Sequence, residues 1–299
     1  MNNFIGLIKI IIVFGIHPIN VNHIGAFVIE LADQNSCSKE LIGYKQWPQV
    51  MEPEWTIHLQ DPNSGGILVY EGVHHSFNSS HPQYDRLVKL WTAFKPTISF
   101  YEGTGSGFSS SLNESIKKSG EPGLIRFLAS KDKIEARSLE PPKQLEINHL
   151  LNTFSADQVM LFYVLRNTVQ LRERRSLNIE KLQAVTTNTL KHYSKYEGLN
   201  SSIANFDELD KAVEKYWPDN DLSWWQFPSN WFSPTATSKE TGSVFTNEVN
   251  RVSSEYRDKY MFEKLTASVL AGHRVFGAVG RNHVAMQSHA LRCAIDGNK

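Results

Sequence analysis

The sequence predicts an α/β fold, and three observations carry that prediction. Short apolar runs that read as buried strands alternate with longer stretches of helical periodicity. Each strand-like run stops at glycine, proline or a polar residue. The composition is that of a globular chain, with 40% hydrophobic and 21% charged residues over 299 positions.

The chain opens on an apolar stretch at 4–15, FIGLIKIIIVFG, interrupted by Lys9. It falls short of the roughly 18–20 apolar residues needed to span a bilayer, so no transmembrane span is expected. Residues 1–26 read as a signal peptide with Ala26 near the cleavage point, which implies export to a periplasmic or secreted location. The β-branched run also fits a buried first strand, which leaves a cytoplasmic location open. Residues 27–64 read as irregular, because QWPQ, MEPEW and DPNSGG supply turn chemistry.

Residues 65–292 read as one domain. GGILVY (65–70) is a short buried strand. A helix follows from Pro82, with Tyr84, Leu87, Val88, Trp91 and Phe94 at three- and four-residue spacing. TISFYEG (97–103) is the next strand, so the pair forms a β–α–β unit with parallel strands. GTGSGFSSS (103–111) is a loop. It lacks the Gly-Lys-Ser/Thr ending of a phosphate loop. A helix is expected through 121–130, and a third strand over 134–140, stopped by Pro141-Pro142.

Residues 143–196 have a helical pattern, and Ser155 is placed to cap. The segment 216–236 holds four of the seven tryptophans. It predicts either a loop or lid that stacks a flat ligand, or a loop pinned by its own rings. Residues 244–271 form a long helix, RVFGAVG (274–280) a last strand, and a short helix closes the chain from about His283.

Lysine plus arginine equals aspartate plus glutamate at 31 each, so nothing in the net charge draws the chain to nucleic acid. Cys37 and Cys293 are too few for a disulfide scaffold or a four-cysteine zinc site; they pair once or stay free.

In an open α/β sheet, ligands gather beyond the carboxyl ends of the strands. Here those ends carry Glu71, His74 and His75, then Glu102, Glu140 and His283. Two of them match: EGVHH and VGRNH each place Gly-x-x-His directly after a strand, ending at His75 and His283. Imidazole and carboxylate together suit zinc, manganese or cobalt, and a metal with an open position makes a nucleophile of water at neutral pH. Arg257, on the long helix, is able to reach the same edge and stabilise developing negative charge.

These motifs, in this order, resemble the TraB/Tiki superfamily, which also gathers the ChaN-like haem-uptake proteins and the erythromycin esterases. The matching residues are Glu71-Gly72-Val73-His74-His75, SFYEG with Glu102, SLEPP with Glu140, RDKYM from Arg257 to Met261, and VFGAVGRNH with His283. The resemblance implies a mixed central sheet with helices on both faces, built as two related halves with the cleft at the strand carboxyl ends. It also implies a metal-assisted hydrolase of a peptide or ester bond. His75, Glu102 and His283 would then hold the metal, and Glu71, His74, Glu102 and Arg257 would be catalytic. A small molecule or peptide is the expected substrate. ChaN-like members give the alternative, a non-catalytic cleft for haem or another flat ligand.

Overall fold

The structure, a computed structural model, describes residues 36–103 and 109–297. The expected signal peptide and most of the glycine-rich loop after Glu102 lie outside the described residues.

Five strands form one mixed sheet: β1 (Thr56–Gln60), β2 (Ile67–Val73), β3 (Ile98–Tyr101), β4 (Glu135–Ser138) and β5 (Arg274–Gly280), in the order β1-β2-β5-β3-β4. β1 runs antiparallel to β2, and the other pairings are parallel. The mixed α/β architecture is therefore as expected.

One expectation needs correction. Residues 27–64 are not irregular throughout, because TIHLQ forms β1, with Ile57 and Leu59 buried and their neighbours exposed. Five alternating residues between turn-rich segments leave a weak signal. β2 and β3 are parallel, as expected, and β5, the last strand in the chain, inserts between them. The insertion pairs Val73 with Gly280 in register, so the two Gly-x-x-His elements leave the sheet side by side.

Helices cover both faces. α1 (Pro82–Phe94) and α2 (Leu112–Asp132) bury Leu87, Trp91, Leu124 and Ile125 against Val69, Phe276 and Ala278. α8 (Thr246–Leu270) and α9 (Arg281–Ile295) bury Phe262, Leu265 and Leu291 against Leu68, Tyr70, Phe100 and Val275. Coverage on both sides explains why the parallel strands read as continuous apolar runs. Local chemistry sets the helix ends. Pro82 occupies the first turn of α1, where its missing N–H costs nothing, and the His81 ring accepts from the Gln83 N–H at 3.3 Å.

A third core lies in the helices between β4 and β5, α3 (Lys143–Leu151), α4 (Ala156–Arg175), α5 (Ile179–Tyr193) and α6 (Phe206–Tyr216); the short α7 (Ser238–Thr241) lies outside it. Ser155 caps α4 in a reciprocal box with Gln158, as its position predicts. The tryptophan-rich segment completes this core. Trp217, Trp224 and Trp231 are buried, and Trp217 stacks on Trp231 with ring centroids 5.6 Å apart. Its own rings pin the loop, as one of its two readings expects.

Cys37 and Cys293 form a disulfide that ties the chain before β1 to α9. Among the described residues, no helix is long and apolar enough to cross a membrane.

Candidate functional site

The parallel strands β2, β3 and β5 end on one rim, and the chain continues from each into polar residues. A cleft of about 490 Å³ opens there, lined by His74, His75, Glu102, Arg257, Gly280 and His283 among others.

Glu102, just past β3, is the centre of the site. Its Oε1 lies 3.4 Å from His283 Nε2 and accepts from Arg257 Nη2 at 2.9 Å. Its Oε2 lies 3.6 Å from His75 Nε2 and accepts the Gly280 N–H at 2.7 Å. Gly280 is the residue before α9, so the carboxylate also sits at a helix N-terminus. Burial works to raise the pKa of Glu102. The charge and hydrogen bond of His283, then Arg257 and His75, outweigh burial and hold it well below the usual carboxylate range.

Each histidine has its own carboxylate behind it. His75 Nδ1 lies 2.5 Å from Glu121, and His283 Nδ1 lies 2.7 Å from Asp258. Both rings therefore turn Nε2 toward Glu102. Such a carboxylate fixes ring orientation and tautomer. The pKa of His75 is raised, chiefly by its hydrogen bond to Glu121. For His283, burial works to lower the pKa; Asp258 and Glu102 overcome it and push it up to about 10. Asp258 in turn accepts from Gln287 at 2.8 Å.

Two backbone features deliver the supporting groups. α2 is broken at Gly120 (φ 61°), and the helix restarts at Glu121-Pro122. A Cβ at Gly120 would come within 3.0 Å of the Ser76 carbonyl, so the break lets α2 approach the His75 segment closely. On α8, Arg257 and Asp258 are consecutive and point about 100° apart. Arg257 reaches Glu102 and makes two bonds to Glu140, at 2.6 and 2.7 Å. Asp258 reaches His283 on α9.

The structure thus brings His75, Glu102, Arg257 and His283 together, as the sequence predicts. His74 also lines the cleft but turns its Nε2 to Arg281, 3.3 Å away. Glu71 is not in the cleft, a correction to its expected role. Side chains alternate along β2, so Glu71 shares the face of Val69, packed under α1. It is fully buried, paired with Arg86 and accepting from Thr56 Oγ1 at 3.3 Å.

The expected metal set also changes. Among the described residues, the ligand atoms that lie within 4.8 Å of one another belong to His75, Glu102 and Glu121. His283 leaves the set and Glu121 enters it. One signal of Glu121 is present in the sequence, a Gly-Glu-Pro-Gly interruption within an otherwise helical stretch. The expected helix at 121–130 is the second half of α2, which begins nine residues earlier. Likewise, the closing helix starts at Arg281, directly after β5, so His283 sits in its first turn.

Imidazole with two carboxylates is a donor set that suits a divalent transition ion; His75 and Glu102 border the open cleft, and Glu121 is buried behind the His75 ring. Compared with models of protein families and with curated proteins, the chain matches none.

Proposed function

We propose that the cleft is the active centre of a metal-assisted hydrolase that opens a peptide or ester bond, as the resemblance to the TraB/Tiki superfamily implies. One observation carries the reading: a single buried carboxylate, Glu102, lies between two histidines that are each backed by a second carboxylate. A structural ion pair needs one partner. Two carboxylate–histidine pairs converging on a third carboxylate, at the edge of a cleft, are an arrangement for moving protons.

His75, through Nε2, and Glu102 would hold a divalent ion such as zinc, manganese or cobalt, with Glu121 orienting the His75 ring from behind. Bound there, the ion supplies Lewis acidity and lowers the pKa of water. His283 faces a carboxylate from each ring nitrogen and so carries a proton on both. It is placed to donate to the leaving oxygen or nitrogen through Nε2, while Asp258 stabilises the imidazolium. Arg257 is occupied by Glu140 and Glu102. It acts as a positioning residue that holds Glu102 in place. The Cys37–Cys293 disulfide fits an oxidising compartment, in line with export.

The test is hydrolysis of a panel of nitrophenyl esters and fluorogenic peptides by the purified chain, with and without added zinc, manganese or cobalt. The reading expects metal-stimulated turnover that falls about 100-fold or more in His283→Ala. A Soret band on haem titration, with no turnover of any panel member, would overturn it in favour of a haem-binding cleft.

A further inference from the structure

Three arginines line the cleft, and they differ in what neutralises them. Arg257 is paired with two glutamates. Arg281 bonds to His74 and lies over the Trp55 ring, 5.0 Å from its centroid. Arg166, half-buried on α4, makes no hydrogen bond or ion pair among the described residues, and its guanidinium lies 5.8 Å from the Phe162 ring. Arg166 also borders a second chamber of about 300 Å³ between α4 and α5, which shares Arg166 and Gln170 with the main cleft.

A half-buried guanidinium with no hydrogen-bonded counter-charge keeps its donors free for a ligand. Burial lowers the pKa of Arg166, and the like charge of Arg257 lowers it further, although Glu146 acts in the opposite sense. The position is therefore short of negative charge, and a ligand is able to supply it. We propose that Arg166 is the anchor for a carboxylate on the ligand of this cleft, with the reactive bond at the His75–Glu102 end. The second half of that statement rests on the hydrolase reading; the first does not.

A carboxylate is favoured over a phosphate for two reasons. The planar guanidinium matches a carboxylate with paired hydrogen bonds. A phosphate dianion would also meet Glu173 and Glu102 across the same cleft, with one unpaired arginine to offset two charges.

The experiment is calorimetric titration of the full chain with N-acetylalanine, its neutral amide, and inorganic phosphate. N-acetylalanine should bind saturably, and the amide about tenfold more weakly or worse. Arg166→Ala should cut N-acetylalanine affinity about tenfold or more, and Arg166→Lys should retain an intermediate affinity. Lys215→Ala, an exposed charge outside the cleft, should leave it within about twofold. No saturable binding to the natural chain, equal binding by folded Arg166→Ala, full affinity in Arg166→Lys, or tighter binding of phosphate would each overturn the proposal. The titration needs no turnover. A chain that hydrolyses nothing but still discriminates acid from amide through Arg166 would sink the hydrolase reading and leave this one standing.

Discussion

Asp258 shows how the site depends on groups behind those that meet the ligand. One of its oxygens bonds to His283 and Gln287; the other is buried without a hydrogen-bond partner. A buried carboxylate left half-satisfied is expensive, and the imidazolium beside it offsets that expense. Asp258→Asn keeps the shape and removes the charge that holds His283 doubly protonated. Turnover should fall about 10- to 100-fold while the far-UV circular dichroism stays unchanged, as is typical when an orienting carboxylate is removed. Unaltered turnover would mean that His283 takes no part in proton transfer.

At the scale of elements, β5 passes into α9 with no loop residue between them, and Gly280 marks the junction. Its φ of −52° is open to any residue, so backbone strain is not the constraint. Space is the constraint: a Cβ would stand 2.9 Å from His75 Nε2 and 3.1 Å from Glu102 Oε2. Gly280→Ala should therefore cost most of the activity, with little change in melting temperature. Gly277→Ala, in mid-strand, should do the opposite, because its Cβ would meet the buried Tyr70 ring at 2.7 Å. Comparing the activity and melting of the two variants separates site from core.

Glu146 ties three helices together. On α3, it accepts from Lys143 Nζ at 2.6 Å, from Tyr163 Oη of α4 at 2.8 Å, and from Ser253 Oγ of α8 at 2.6 Å. Burial works to raise its pKa; Lys143 and the hydroxyls prevail and lower it. A depressed pKa means that its stabilising contribution is present above the ordinary glutamate value of 4.5 and fades as pH falls through the native-state value. Denaturant titrations below pH 4.5 should therefore show a loss of stability that is shallower in Glu146→Gln, which should itself be less stable at neutral pH. An identical acid slope in the two chains would contradict this.

How far these elements could be read beforehand follows from the range of the forces that set them. The strand ends bearing His75, Glu102 and His283, and the helix bearing Arg257, were legible because local periodicity and glycine punctuation define them. Glu121 and Arg166 were not. Glu121 reaches the site only through a helix break, and Arg166 only because α4 packs beside α8, a contact between segments about 90 residues apart in sequence. Glu71 departs from its expected place for a related reason: a strand-end residue faces either the rim or the layer beneath it, and the packing of α1 decides which.

Across the whole molecule, the fold joins distant ends of the chain twice. β5 enters the middle of a sheet begun by β1 and β2, and the disulfide links positions 256 residues apart. In the chain-entropy picture, closing so long a loop stabilises the native state by on the order of 5 kcal/mol. Reduction, or the Cys37→Ser/Cys293→Ser pair, should lower the melting temperature by roughly 10 °C or more for a chain of this size. A melting curve unchanged by reductant would show that the tether adds nothing.

The most direct test of the account is the divalent-ion content of the purified chain, measured by mass spectrometry beside Glu102→Gln and His75→Ala after equilibration with zinc and manganese. About one tightly held ion per natural chain is expected, with its loss in both folded variants. A natural chain that retains no ion, or variants that hold it equally well, would contradict a metal-assisted centre built on Glu102 and His75.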